Sequence, residues 1–219
     1  TQQVSSAASD VYKRQAFEGI DGSGKSSIIE QLSKILDEKK IENKIVREPG
    51  GTKVGEGIRE LLLSHDYKVS PLTEALLFCA QRSQLVNELI KPSIQNGIKI
   101  LSDRSAYSSV AYQGVGRELG YEKIYQLNDI AVGGLWPEKV VLLDIDPLVS
   151  LDRQKVADRI GSDKIEFFQR IREGYLRLSK EFFENFLVLD AENSLEENLF
   201  KVCEWLGICL LYTSPSPRD

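Results

Sequence analysis

Histidine occurs once in the 219 residues, at His65, which excludes histidine-based metal centres and Ser-His-Asp catalysis. Read plainly, His65 is an exposed loop residue near a helix end. Cysteine is nearly as rare. Cys79, Cys203 and Cys209 show no paired metal-ligand spacing and are too few for a disulfide framework, so reduced thiols in a cytoplasmic protein are expected. No apolar run approaches membrane-spanning length, and the amino terminus lacks the apolar core of a signal peptide. A net charge of −5 supplies no global field for nucleic acid or an acidic membrane, and neither is an expected partner. Any anionic ligand must be held by local cations. A G-x-G-x-x-G run is also missing, which leaves dinucleotide binding without support.

What the chain does have is alternation. Short apolar stretches at Ile45 to Arg47, Ile98 to Ser102, Val140 to Ile145 and Phe186 to Leu189 read as buried strands, with a fifth around Ala16 to Glu18. Between them lie helical stripes. Ile28, Ile29, Leu32, Ile35 and Leu36 form one, and Phe168, Ile171, Tyr175, Leu178 and Phe182 another. Ser70 and Pro71 read as N-cap and first residue of a long helix, with Leu72, Leu76, Cys79, Val86 and Ile90 as its apolar face. At 42% hydrophobic, one α/β domain with a parallel sheet and right-handed crossovers is expected.

Gly19-Ile20-Asp21-Gly22-Ser23-Gly24-Lys25-Ser26 fits G-x-x-x-x-G-K-[ST] without a mismatch, between an apolar strand and an amphipathic helix. The residue types follow from the chemistry. Glycines let backbone N–H groups turn inward onto phosphate oxygens, and the helix N-terminus adds a favourable dipole. Lys25 is expected to bridge the β- and γ-phosphates, and the Ser26 hydroxyl to ligate Mg²⁺. The segment Gly19, Asp21 to Ser26 and Ser27 is therefore the expected ATP site. Taken alone it says only that a nucleoside triphosphate binds.

A GTPase switch is the rival from another class. Its guanine-reading N-K-x-D is approached only by Asn43-Lys44-Ile45-Val46, which lacks the aspartate. Neither Asp103 nor Asp144, each at a strand end, continues as D-x-x-G. Arg47 closes the second strand and Asp103-Arg104 the third, on the side where open α/β sheets bind ligands. In the long helix Phe78 and Arg82 stand four residues apart and share a face, offering a stacking ring beside a donor fork. Read singly, Phe78 is a core residue.

With these blocks in place, the chain resembles thymidylate kinases over residues 16–206. The resemblance rests on the glycine loop, Arg47-Glu48-Pro49-Gly50-Gly51-Thr52, Leu76-Leu77-Phe78-Cys79-Ala80-Gln81-Arg82, Ile90-Lys91-Pro92, Asp103-Arg104 and Ala111-Tyr112-Gln113-Gly114. It implies a doubly wound five-stranded parallel sheet of order 2-3-1-4-5, in one P-loop kinase domain over 16–208 with a short lid around 150–163. The implied reaction carries the ATP γ-phosphoryl group to dTMP. Another nucleoside-monophosphate kinase and a non-enzymatic nucleotide switch stay open beside it. By the same resemblance, Asp21 meets the deoxyribose 3′-hydroxyl, while Arg47 and Arg104 hold the dTMP phosphate. Phe78 stacks on thymine, Arg82 donates to a base carbonyl, and Ser108 and Gln113 complete the base contacts. Tyr112 fills the space a 2′-hydroxyl needs, and Asp103 organises Mg²⁺ with Ser26. Gly22 leaves the loop without an arginine, so catalytic cations are expected from the lid, as Arg153, Lys155 and Arg159. A homodimer is also implied. Ser105 departs from the tyrosine or histidine usual after Asp-Arg.

The amino terminus conflicts with this plan. A central strand reads as a continuous apolar run, yet Lys13, Arg14 and Gln15 precede Ala16 and Phe17. Unpaired cations in a core cost several kcal/mol each. Residues 1–15 and 209–219 are therefore expected to be non-native or disordered ends.

Overall fold

The computed structural model describes residues 13–153 and 158–209. Parallel strands β1 (Arg14–Glu18), β2 (Asn43–Arg47), β3 (Lys99–Asp103), β4 (Lys139–Asp144) and β5 (Phe186–Asp190) form one sheet in the order β2-β3-β1-β4-β5. The expected order is thus observed, with the strand that feeds the glycine loop in the middle. Register sets the ligand edge, since Phe17 and Arg47 each lie opposite Asp103.

The connecting helices are α1 (Lys25–Glu38), α2 (Lys53–Leu63) and α3 (Pro71–Leu85). A π-helical segment (Val86–Ile90) carries α3 into α4 (Lys91–Gln95), and a second (Val110–Gly116) extends α5 (Ala106–Ser109). Then come α6 (Tyr121–Val132), α7 (Pro147–Arg153), α8 (Ile165–Glu181) and α9 (Leu195–Trp205). Caps explain several starts. Thr52 accepts from Gly55 N at 2.9 Å, and Ser70 accepts from Thr73 N with Pro71 as first residue. The main core joins Phe17, Leu32, Leu101, Val141, Ile171 and Leu178, all fully buried. A smaller cluster of Val46, Leu85, Val86, Ile90 and Ile100 lies under β2 and β3.

Two expectations are corrected. First, β1 begins at Arg14, two residues before the expected domain start. Arg14 is 1% exposed yet not unpaired. Its Nη1 donates to Leu135 O at 2.6 Å and its Nη2 to Glu48 Oε1 at 3.3 Å. A parallel ladder needs only backbone groups, so a polar side chain is admitted wherever the tertiary structure supplies partners. Residues 1–12 and 210–219 lie outside the described residues. Second, the apolar stripe expected along the long helix is buried only in its later part, at Cys79, Val86 and Ile90. Leu72 and Leu76 are about half exposed, whereas Glu74, Gln81 and Arg82 are buried. The inward face of α3 mixes these polar groups with Ala75, Cys79 and Leu85, so apolar periodicity alone misplaces its first two turns. His65 is exposed, as expected. Among the described residues no helix is long and apolar enough to cross a membrane.

Candidate active site

The loop between β1 and α1 needs glycine at two places. Gly19 has φ 135°, and a Cβ there would lie 2.5 Å from Leu143 O. Gly22 has φ 80°, and a Cβ would press on Ser150 O at 3.0 Å and Arg153 Cβ at 3.2 Å. The bare Gly22 is thus what admits α7 and Arg153 to the loop. Ser150 Oγ donates to Asp21 O at 2.6 Å, fixing α7 there, and Arg153 Nη1 donates to Ala191 O at 3.2 Å. α1 starts at Gly24 with no side-chain cap, leaving first-turn N–H groups for an anion. The Ser23 hydroxyl is buried without a partner among the described residues. Lys25 Nζ donates to Gly19 O and Ile20 O, both at 3.0 Å. Burial, and then repulsion from Arg104, push its ammonium down to about 8.

Ser26 and Asp103 meet as expected, with Ser26 Oγ donating to Asp103 Oδ2 at 2.9 Å. A hydroxyl and one carboxylate are hard oxygen donors. They suit Mg²⁺, which keeps several waters and phosphate oxygens and needs few protein ligands. Among the described residues there is no larger His/Cys/Asp/Glu cluster to hold a metal by itself. Ser27 is exposed on the first turn.

Beside the loop opens a cleft of about 110 Å³, lined by Asp21, Glu48, Pro49, Arg59, Leu63, Phe78, Arg104, Ser108, Ser109, Tyr112, Gln113, Asp158 and Ile160. Arg104 Nη2 donates to Asp21 Oδ1 at 2.6 Å, and this guanidinium holds the Asp21 carboxyl down to about 2. Gln113 Nε2 donates to Glu74 Oε1 at 2.9 Å, which leaves the carbonyl oxygen of Gln113 as its acceptor group. The Tyr112 ring lies under Arg104, 5.0 Å from Cζ to centroid, and its buried hydroxyl has no partner among the described residues. Burial pushes that phenol up.

Other expected residues sit elsewhere. Arg82 does not line the cleft. It is fully buried, with Nε on Glu48 Oε2 at 2.6 Å, Nη1 on Ser109 and Asn128, and Nη2 on Ser105 O at 3.0 Å. Its helix face turns inward, and the side chain braces the loop after β3. Ser105 fits this arrangement, being fully buried and capping α5. Arg47 is about half exposed and paired with Glu56 at 2.9 Å, because side chains alternate along β2 and the inward position falls to Val46. Arg59 lines the cleft instead and donates to Pro49 O at 2.7 Å. Arg159 is likewise engaged away from the loop. It donates to Leu62 O at 2.8 Å and to the buried Glu74 at 2.7 Å, while its neighbours Asp158 and Ile160 face the cleft. Ser108 lines the cleft, but its hydroxyl is committed to Glu18 at 2.5 Å. Lys155 lies outside the described residues.

Sequence reasoning missed Arg59 and Glu48. Arg59 shares a helix face with Gly55 and Leu62, a spacing that could have flagged it. Glu48 stands inside the 47–52 block, beside Arg47, with no spacing signal of its own.

The cleft thus opens beside the glycine loop of residues 19–26. The thymidylate kinase family model matches residues 17–202. The thymidylate kinase of Kosmotoga olearia is 40% identical over 198 residues, covering 89% of this chain and 95% of its own. That of Caldanaerobacter subterraneus is 44% identical over 178 residues, 80% of this chain and 86% of its own. That of Fervidobacterium nodosum is 46% identical over 184 residues, 83% and 92%. A family model matched over residues 17–202, and relatives aligned over most of both chains, make this chain a member of the thymidylate kinase family.

Proposed function

We propose that the chain transfers the γ-phosphoryl group of ATP to dTMP, giving ADP and dTDP, with the acceptor in the cleft and the donor phosphates on the 19–26 loop. The observation that carries this reading is the single cleft wall formed by Asp21, Phe78, Arg104, Tyr112 and Gln113 next to that loop. Phosphoryl transfer needs little covalent chemistry from a protein. It needs two anions in line and the charge on the moving group neutralised.

Each side chain then has a task. Lys25 reaches the β- and γ-phosphates, exchanging loop carbonyls for phosphate oxygens. Arg104, supported by Arg59, holds the acceptor phosphate. Asp21 accepts from the 3′-hydroxyl. Phe78 stacks on the base, and the Gln113 carbonyl accepts the thymine ring N–H. Tyr112 occupies the 2′ side of the sugar. Arg153 is the cation placed against the loop from α7, where Gly22 makes room. Mg²⁺ would be held by Ser26 and, through water, Asp103, where it supplies positive charge to the phosphates. The exposed Val54, Leu61, Leu72 and Leu76 on α2 and α3 support a homodimer through these helices.

The test is a transfer assay across a panel of nucleoside monophosphates, run on wild type and Tyr112→Ala. Wild type is expected to prefer dTMP, and the variant to lose discrimination against the ribose form. Slow hydrolysis with no acceptor would point to a switch, and a different preferred base to another kinase of this superfamily.

A further inference from the structure

Glu18 ends β1 immediately before the phosphate loop and is fully buried. It lines no part of the cleft, and none of the tasks above uses it. Its surroundings are specific. Oε1 accepts from Ser105 Oγ at 2.6 Å, and Oε2 accepts from Ser108 Oγ at 2.5 Å and from the Tyr175 hydroxyl at 2.9 Å. A carboxylate only accepts, so the hydroxyl protons point toward it even though Ser108 Oγ and the Tyr175 hydroxyl also lie 2.9 Å from each other. Lone pairs on Ser108 and Tyr175 then remain for a donor on their other side. That donor is Arg104, whose Nη1 lies 3.4 Å from each oxygen and 3.1 Å from Gly19 O.

Arg104 needs such support. Its φ of 69° is left-handed, a conformation costing about 1–2 kcal/mol for a residue with a Cβ. Strain of this kind persists only where the surroundings over-determine it. Burial pushes the Glu18 carboxyl up, while the hydroxyls and Arg104 oppose that rise.

We infer that Glu18 is a positioning residue for the acceptor clamp: by taking the hydroxyl protons of Ser108 and Tyr175, it turns their oxygens to Arg104 and fixes that guanidinium at the cleft. The inference rests on the reading of Arg104 as the residue that holds the acceptor phosphate. Glu18→Gln keeps the shape but leaves one accepting oxygen where there were two, so the three hydroxyls can no longer all donate to it and the relay to Arg104 loses its fixed proton order.

The experiment is a double-mutant cycle of wild type, Glu18→Gln, Arg104→Ala and the double variant. kcat, both KM values and thermal unfolding are measured for each. Glu18→Gln is expected to lower kcat about tenfold and raise the dTMP KM, with the ATP KM within about twofold. In the Arg104→Ala background the same change is expected to alter kcat by less than about twofold. Equal losses in both backgrounds would overturn the inference and make Glu18 a purely structural group. Wild-type turnover in Arg104→Ala would remove the clamp itself and the inference with it, an outcome visible in that single variant. If Glu18→Gln does not fold, Tyr175→Phe replaces it, since it keeps the ring and removes one hydroxyl of the relay. It must show the same dependence on Arg104.

Discussion

Asp21 and Arg104, 83 positions apart in sequence, join the phosphate loop to the end of β3 through one 2.6 Å ion pair. Arg104 holds the Asp21 carboxyl down to about 2, against about 3.9 for an unperturbed aspartate. A depressed carboxylate contributes stability above its unfolded value and loses it as pH falls through the folded one. The contribution of this pair is therefore present above pH about 4 and gone near pH 2. Asp21 is about half exposed, which keeps the energy modest. Asp21→Asn is expected to flatten the melting-temperature profile between pH 4 and 2; superimposable profiles would refute the coupling.

Lys25 gives the opposite sign. Its folded value of about 8 lies below the unfolded lysine value of about 10.4, so the unfolded chain binds more protons between them. Stability of the ligand-free protein should rise with pH above about 8. Scans between about pH 8 and 9.5 avoid tyrosine ionisation, which begins near 10. In Lys25→Met that rise disappears and the ligand-free melting temperature at pH 7 increases by a few degrees. Transfer falls about 100-fold or more. A variant that is both less stable and active contradicts the assignment.

Phe78 and Arg82, one turn apart, should separate into different phenotypes. Phe78→Ala removes a stacking surface of about 1–3 kcal/mol and raises the dTMP KM while sparing that for ATP. Arg82→Ala withdraws a buried partner from Glu48, Ser105 O and Asn128 and costs about 3–5 kcal/mol of stability. Urea unfolding of both variants checks this; a wild-type midpoint for Arg82→Ala would mean that the guanidinium braces nothing.

Arg14→Met is a milder case. Glu48 keeps Arg82 at 2.6 Å when Arg14 is lost, so no buried charge is left without a partner. Replacing a buried ion by an apolar side chain is often neutral or stabilising. The expected melting temperature is equal to or above wild type, and a fall of several degrees would show that the Leu135 and Ser102 contacts of Arg14 outweigh its desolvation.

The sequence by itself determined the parallel sheet and the phosphate loop and, through the family resemblance, the sheet order and six of the thirteen residues that line the cleft. Those features are local. A loop that wraps phosphate needs Gly19, Gly22 and Lys25 in fixed register, and buried strands need contiguous apolar residues such as Val140 to Leu143. Only the tertiary structure decided the fate of the charged side chains. Arg14 is accepted into the central strand because Leu135 O, Ser102 and Glu48, all distant in sequence, converge on it. Arg82 and Arg159 bind carboxylates inside the protein, whereas Arg59 faces the cleft. A guanidinium has a long reach and will pair with whichever carboxylate or carbonyl the fold brings near it. Its position along the chain therefore says that a cation is available, and long-range packing settles which anion it meets.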